Sequence, residues 1–299
     1  MDRFDAMRVF AAVADEQGFA AAARRLGMSP PAVTRAIAAL EQRIGTLLLH
    51  RTTRRVRMTE SGRRFLEDCK RILAELDEAE ASAAGTHGEP RGQLVITAPD
   101  LFGHMYVARI VLDFLARHPA VTARTLMVDR IVDMFDEGID VAVRIAHLPD
   151  SSLSAARVGS VRRVVCASPR FFAKHGVPRT PADLVDFPAI MFSTTGVVQE
   201  WSFGTGAGAE SVNPRGQLMV NSSEFAIDAA MAGCGLTRVL SYQIAPALRA
   251  GRLKVVLAEF EPPPVPIHVV HREGRRAAAR VRAFVDFAVE RLRAEPTLA

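Results

Sequence analysis

Residues 19–44 read FAAAARRLGMSPPAVTRAIAALEQRI, and the punctuation of this stretch decides the fold of the first part of the chain. Phe19 to Leu26 forms a short helix of alanine and arginine that stops at Gly27, where a sharp turn calls for positive φ. Ser29 is a residue of the N-cap type, and Pro30 and Pro31 fall in the first turn of the next helix, where a missing N–H is harmless. From there Val33, Ile37, Leu40 and Ile44 recur at helical steps and form one apolar stripe. Two helices joined so tightly must approach closely, and Ala23, four residues before Gly27, leaves room for that. The opposite stripe is Pro31, Arg35, Ala38 and Gln42, with Thr34 beside it; it has little bulk and no acid. Such a face suits the major groove of DNA. An ordinary solvated face is the alternative, preferred for Gln42, whereas Thr34 and Arg35 read as base or phosphate contacts.

Working outward, Phe4, Met7, Phe10 and Val13 define a preceding helix over residues 3–15, broken at Gly18. On the other side, LLLHRTTRRVRMT (47–59) reads as a two-stranded wing with a basic tip. Arginines there supply affinity for a phosphate backbone irrespective of sequence. Charge agrees with this placement. Residues 1–71 hold 14 Lys and Arg against 8 Asp and Glu, and the remaining residues hold 24 against 25, so the whole excess of +5 belongs to the first quarter of the chain. A basic head on a neutral body points to a polyanion partner.

Residues 7–62, MRVFAAVADEQGFAAAARRLGMSPPAVTRAIAALEQRIGTLLLHRTTRRVRMTESG, resemble the winged helix-turn-helix of LysR-type transcriptional regulators. Helix, turn, recognition helix, wing and following helix arrive in order at the family's spacing. The resemblance implies that Ser29, Pro30, Pro31, Thr34 and Arg35 approach the major groove. It also implies that Arg51, Thr52 and Arg54 serve the wing. Residues 1–58 are accordingly expected to be the DNA-binding domain.

Beyond the wing, Thr59 is an N-cap candidate, and Phe65, Cys69, Ile72, Leu76, Ala79 and Ala83 alternate at steps of four and three, the pattern of a coiled-coil seam. A helix packed on the wing alone would show the same stripe. Its length of roughly 25 residues, about 37 Å at 1.5 Å per residue, favours a paired partner. Cys69 lies in the seam and reads as packing. Residues 84–92, AGTHGEPRG, have the composition of a hinge. The resemblance implies a dimerising linker over 59–90, and so a homodimer or homotetramer.

Residues 91–299 alternate strand-like runs such as LVITA (94–98), VAVRI (141–145) and VVCA (164–167) with helix-like segments, one of them short and centred on Ile131–Glu137. This pattern predicts α/β lobes with mostly parallel sheets. The resemblance implies two lobes similar to type 2 periplasmic binding proteins, lobe I over 91–161 and 267–299 and lobe II over 162–266. Small ligands sit beyond the carboxyl ends of strands in such sheets. That rule nominates Asp100, Leu101, Phe102, Asp129, Arg144, Ser193, Thr194, Ser222 and Ser223 as effector contacts. Many relatives place a serine or threonine where Asp100 stands; an aspartate repels an anion, which weighs against a simple carboxylate effector unless Arg144 compensates.

The chain carries no G-x-S-x-G, Walker A or H-E-x-x-H motif, and its three cysteines and eight histidines lack ligand spacing. No catalytic role, metal or cofactor is expected beyond an unknown small-molecule effector. An enzyme with a nucleic-acid tether would need a catalytic constellation in 91–299, and an architectural DNA binder would need no two-lobed module. No apolar run is long enough for a membrane span and no export signal opens the chain, so a cytoplasmic protein is expected. Its expected partners are double-stranded promoter DNA, itself and, as a further candidate, RNA polymerase.

Overall fold

Reciprocal caps open the first helix. The Asp5 amide donates to Asp2 Oδ1 at 2.7 Å and the Asp2 amide donates to Asp5 Oδ2 at 3.2 Å, starting α1 (Arg3–Asp15). The computed structural model describes residues 1–51, 56–83, 89–149, 153–193, 200–272 and 277–298. The chain divides between Glu89 and Pro90 into two units.

In the first unit α2 (Phe19–Leu26) ends at Gly27, whose φ of +64° lets the Met28 amide reach back to the Ala23 carbonyl at 2.9 Å. Helix α3 (Pro30–Ile44) follows from Ser29 and stops at Gly45, φ +79°. Strands β1 (Leu49–Arg51) and β2 (Val56–Met58) pair antiparallel, with Leu49 opposite Met58. Helix α4 (Glu60–Ala83) is capped by Thr59, whose hydroxyl accepts from the Gly62 amide at 2.9 Å. Phe10, Val13, Ala22, Val33, Ile37 and Leu48 are buried in one core, to which each large side chain contributes about 1.5–3 kcal/mol on leaving water.

Two expectations change here. Ile44, expected on the core stripe, is 39% exposed. The chain turns away at Gly45, and Glu41 turns inward instead of it. The stripe of α4 also serves its own head first: Phe65, Leu66, Cys69, Ile72 and Leu73 join the head's core, with the Phe65 ring 5.7 Å from that of Phe10. Lys70 adds an ion pair to Asp15 at 2.6 Å. Leu76, farther along, is half-buried and outside that core. Burial pushes the Cys69 thiol up to about 12, which makes it an inert packing group.

The second unit begins with β3 (Gly92–Ala98), α5 (Asp100–Phe102), a π-helical turn (Gly103–Val107) and α6 (Ala108–Arg117). Strands β4 (Val121–Met127), β5 (Val141–Ile145) and β6 (Ser154–Val161) follow. The chain then crosses at Arg162 into β7 (Arg163–Ala167), α7 (Pro169–His175), β8 (Pro188–Phe192) and the hairpin of β9 (Trp201–Phe203) and β10 (Glu210–Val212). Next come β11 (Arg215–Val220), α8 (Ser223–Met231), β12 (Leu236–Leu240), α9 (Ser241–Arg249) and β13 (Lys254–Val256). Residues 261–264 lead back to β14 (Val265–His271) and α10 (Ala279–Arg293).

The two five-stranded sheets have orders β4-β3-β5-β14-β6 and β11-β8-β12-β7-β13. In each, the reversed strand is the one entered straight after a crossing: β14 is antiparallel to β5 and β6, and β7 is antiparallel to β12 and β13. The other pairs, β3 with β4 and β5, and β8 with β11 and β12, are parallel. Ile96, Val143, Ile267 and Val269 face α6 and α10, where Phe114 meets Phe284 edge to face at 5.2 Å.

The short helix expected at Ile131–Glu137 is a turn. Asp133 Oδ1 accepts from the amides of Phe135 and Asp136 at 2.7 and 3.1 Å, and this local bonding competes with helix formation. Ile131 is 94% exposed as a result.

Candidate functional sites

The head presents the amino-terminal end of α3 outward. Ser29, Pro30, Pro31, Thr34 and Arg35 are all exposed, while Val33, Ala36 and Ile37 on the other face are buried. The Thr34 hydroxyl donates to the Pro30 carbonyl at 3.0 Å, which leaves its lone pairs outward as acceptors. No acidic side chain stands among these five, so the face carries the Arg35 charge uncompensated by sequence neighbours. Arg51 closes β1; Thr52 and Arg54 lie outside the described residues.

Glu41 is the residue that periodicity missed. It is 7% exposed, and its Oε1 accepts from the amides of Leu48 and Leu49 at 2.9 and 3.1 Å. Those amides would otherwise be orphaned where the chain leaves α3 and enters the wing. The carboxylate thus ties the recognition helix to β1.

In the second unit Asp100 starts α5 and its amide donates to Asp129 Oδ1 at 3.1 Å, so two carboxylates stand together at the carboxyl ends of β3 and β4. Burial pushes the Asp129 carboxyl up, opposed by the Asp100 amide and reinforced by the Asp100 charge. Leu101 is half-buried against the second sheet's core. Phe102 is completely buried, 4.9 Å from the Tyr106 ring and 5.2 Å from the Tyr242 ring, so it is a core residue joining the lobes rather than a surface for a ligand.

Arg144 does not compensate the acids. Its guanidinium donates to the Val132 carbonyl at 2.7 Å, beneath the 131–138 turn, and burial lowers its pKa. Ser222 caps α8, accepting from the Phe225 amide at 3.3 Å, and Ser223 is buried at its first turn. Ser193 is buried just after β8, with its amide donating to the Val220 carbonyl at 2.9 Å. Thr194 lies outside the described residues.

Residues 4–63 match the family described as bacterial regulatory helix-turn-helix protein, lysR family, and residues 87–293 match the LysR substrate binding domain. The chain belongs to the LysR family of transcriptional regulators. It is 35% identical over 291 residues to an HTH-type transcriptional regulator of Xanthomonas campestris pv. campestris (strain 8004), covering 95% of this chain and 84% of that one. It is 33% identical over 285 residues to the HTH-type transcriptional regulator DmlR of Escherichia coli (strain K12), covering 94% and 92%. Among solved structures it is similar to CrgA, a LysR-type transcriptional regulator from Neisseria meningitidis, with a TM-score of 0.61, 28% identity and coverage of 96% and 98%. The full-length structure of the Vibrio cholerae virulence activator AphB shares the fold, with a TM-score of 0.61, 23% identity and coverage of 97% and 99%.

This LysR-type regulator therefore joins a DNA-binding head to an α/β regulatory domain of the effector-binding kind. No described helix is long and apolar enough to cross a membrane, and among the described residues no group of His, Cys, Asp and Glu could hold a metal ion.

Proposed function

We propose that this regulator reads promoter DNA through Ser29, Pro30, Pro31, Thr34 and Arg35 in the major groove, with Arg51, Thr52 and Arg54 of the wing on the flanking phosphates. The exposed, acid-free amino-terminal end of α3 is the observation that carries this reading. Residues 59–90 pair two copies, so that two heads read half-sites one or more helical turns apart. A small molecule held between lobe I (91–161 and 267–299) and lobe II (162–266) shifts the spacing of the heads and so the occupancy or bending of the promoter. The regulatory domain senses its ligand without transforming it. The protein works in the cytoplasm, where RNA polymerase is its further partner.

Genomic DNA captured by the purified protein, followed by footprinting with and without candidate metabolites, tests this. Protection of a discrete promoter that changes with one metabolite is expected. A monomer in solution that prefers no fragment over bulk competitor would overturn the reading.

A further inference from the structure

The sheet of order β11-β8-β12-β7-β13 carries a cationic pair without a neighbouring acid among the described residues. Arg163 opens β7, and Arg238 lies on β12 two residues from the position opposite it, since Arg163 stands opposite Leu240 and Arg238 opposite Val165. Val165 and Ala167, two and four residues on from Arg163, and Leu236, two before Arg238, point to the same side as the arginines and line the core that holds Trp201 and Phe203. Arg163 and Arg238 therefore share that face, near the end of the sheet where β8 reaches Ser193 and the crossing at Arg162 enters. Among the described residues neither has an acid within ion-pair distance.

Arg238 is half-buried. Its guanidinium donates to the Ser202 carbonyl at 2.5 Å and lies 5.2 Å from the centre of the Phe203 ring. Its Nε is buried and has no hydrogen-bond partner among the described residues. Burial, and then the Arg163 charge, lower its pKa to about 10, and it remains a cation at neutral pH. A partly buried charge with an unmet donor and a like charge beside it works against folding unless something completes it. The planar guanidinium fork matches the oxygens of a carboxylate or a phosphate.

Resting on the reading that the lobes hold an effector, we infer that Arg238, with Arg163 beside it, is the anion-recognising end of the effector site, and that the effector carries an oxyanion directed at lobe II. The carboxylates Asp100 and Asp129 at the strand ends of lobe I are the wrong sign for that group, and Arg144 is engaged by Val132. A ligand presenting its anion to lobe II avoids those acids.

The test uses the full chain and thermal unfolding in inorganic phosphate, in acetate and in chloride at matched ionic strength. Phosphate or acetate should raise the Tm above chloride, because a ligand that binds only the folded state stabilises it. Whichever of the two acts identifies the phosphate or carboxylate chemistry. Arg238→Gln should lose about tenfold or more in apparent affinity, the scale of one charge-assisted contact, and Arg163→Gln should weaken it less. Arg252→Gln, an exposed charge elsewhere on lobe II, should change nothing. In chloride alone Arg238→Gln should unfold no lower than the parent, because it removes an uncompensated charge. The inference is overturned if neither oxyanion differs from chloride, if Arg238→Gln responds like the parent, or if Arg238→Gln falls in Tm in chloride, which would make the guanidinium a support of the fold. Promoter footprinting on the same preparation is read independently, so loss of the anion site alone leaves the DNA-binding reading standing.

Discussion

Glu41 Oε1 accepts from the Leu48 amide at 2.9 Å, so a buried carboxylate near the end of the recognition helix fixes the start of the wing. The same oxygen takes the Leu49 amide at 3.1 Å. Glu41→Ala leaves both amides buried and unmet, a loss of about 2–6 kcal/mol at the usual penalty of about 1–3 kcal/mol per orphaned group. Glu41→Gln keeps an acceptor and should retain most of that stability. Thermal or urea unfolding of the two variants checks this, and only the alanine variant should lose affinity for operator and scrambled DNA alike.

Arg35 is exposed and holds nothing in the head's core. Arg35→Ala should leave the Tm unchanged and cost about 1–3 kcal/mol of operator binding, with relaxed preference at one base pair. Titrations on operator and scrambled DNA at fixed salt separate the roles. An equal loss on both would assign Arg35 to phosphate.

Two glycines pack closely but with different neighbours. A Cβ on Gly62 would overlap the Leu48 carbonyl, which is backbone held in the wing, whereas one on Gly103 would meet the flexible end of Met127. Gly62→Ala should therefore destabilise by about 1–3 kcal/mol. Gly103→Ala should change stability by less than about 1 kcal/mol, because a methionine repacks readily. Paired unfolding curves check the contrast.

The sign of the Asp129 shift sets a pH dependence. Burial raises its pKa in the folded chain above the ordinary carboxylate value, so the folded state holds this proton more tightly than the unfolded state. Ionisation at neutral pH therefore works against folding, and the penalty disappears as pH falls through the folded value to the unfolded one. Asp129→Asn should be the more stable form at neutral pH. That advantage should vanish in the acid range, as read by unfolding at a series of pH values.

Leu76 lies on the stripe of α4 beyond the residues that serve the head's core. Leu76→Arg should leave the head folded and shift the protein towards monomer in sedimentation analysis. An unchanged assembly would place the pairing contacts elsewhere.

The helix-turn-helix was legible because its signals are local. Gly27 and Gly45 take positive φ, Ser29 opens α3, and Val33, Ile37 and Leu40 keep the helical period. The strands LVITA and VVCA were legible as apolar runs for the same reason. Glu41 escaped because its partners, Leu48 and Leu49, lie where the chain enters β1, to which helical periodicity gives no access. The Ile131–Glu137 segment was misread because the Asp133 side chain, rather than the apolar spacing, decides its backbone. At the candidate effector site, rules about strand ends nominate Asp100 and Asp129, and the structure sets these two together. They gave no access to the burial of Phe102, whose ring packs against that of Tyr242 from the other lobe. Arg238 was hidden inside a strand pattern, although a charge flanked by apolar residues in a short strand is itself a signal.

Strand β14 occupies the slot between β5 and β6, although nearly the whole of lobe II separates it from β6 in the chain. During synthesis on the ribosome, lobe I therefore stands with a gap in its sheet until nearly the entire polypeptide has emerged. Lobe II, whose strands lie in one continuous stretch, is complete first. The nascent domain must keep two unpaired strand borders from sticking to other chains until β14 closes the gap, and its vulnerability to aggregation is concentrated in that interval.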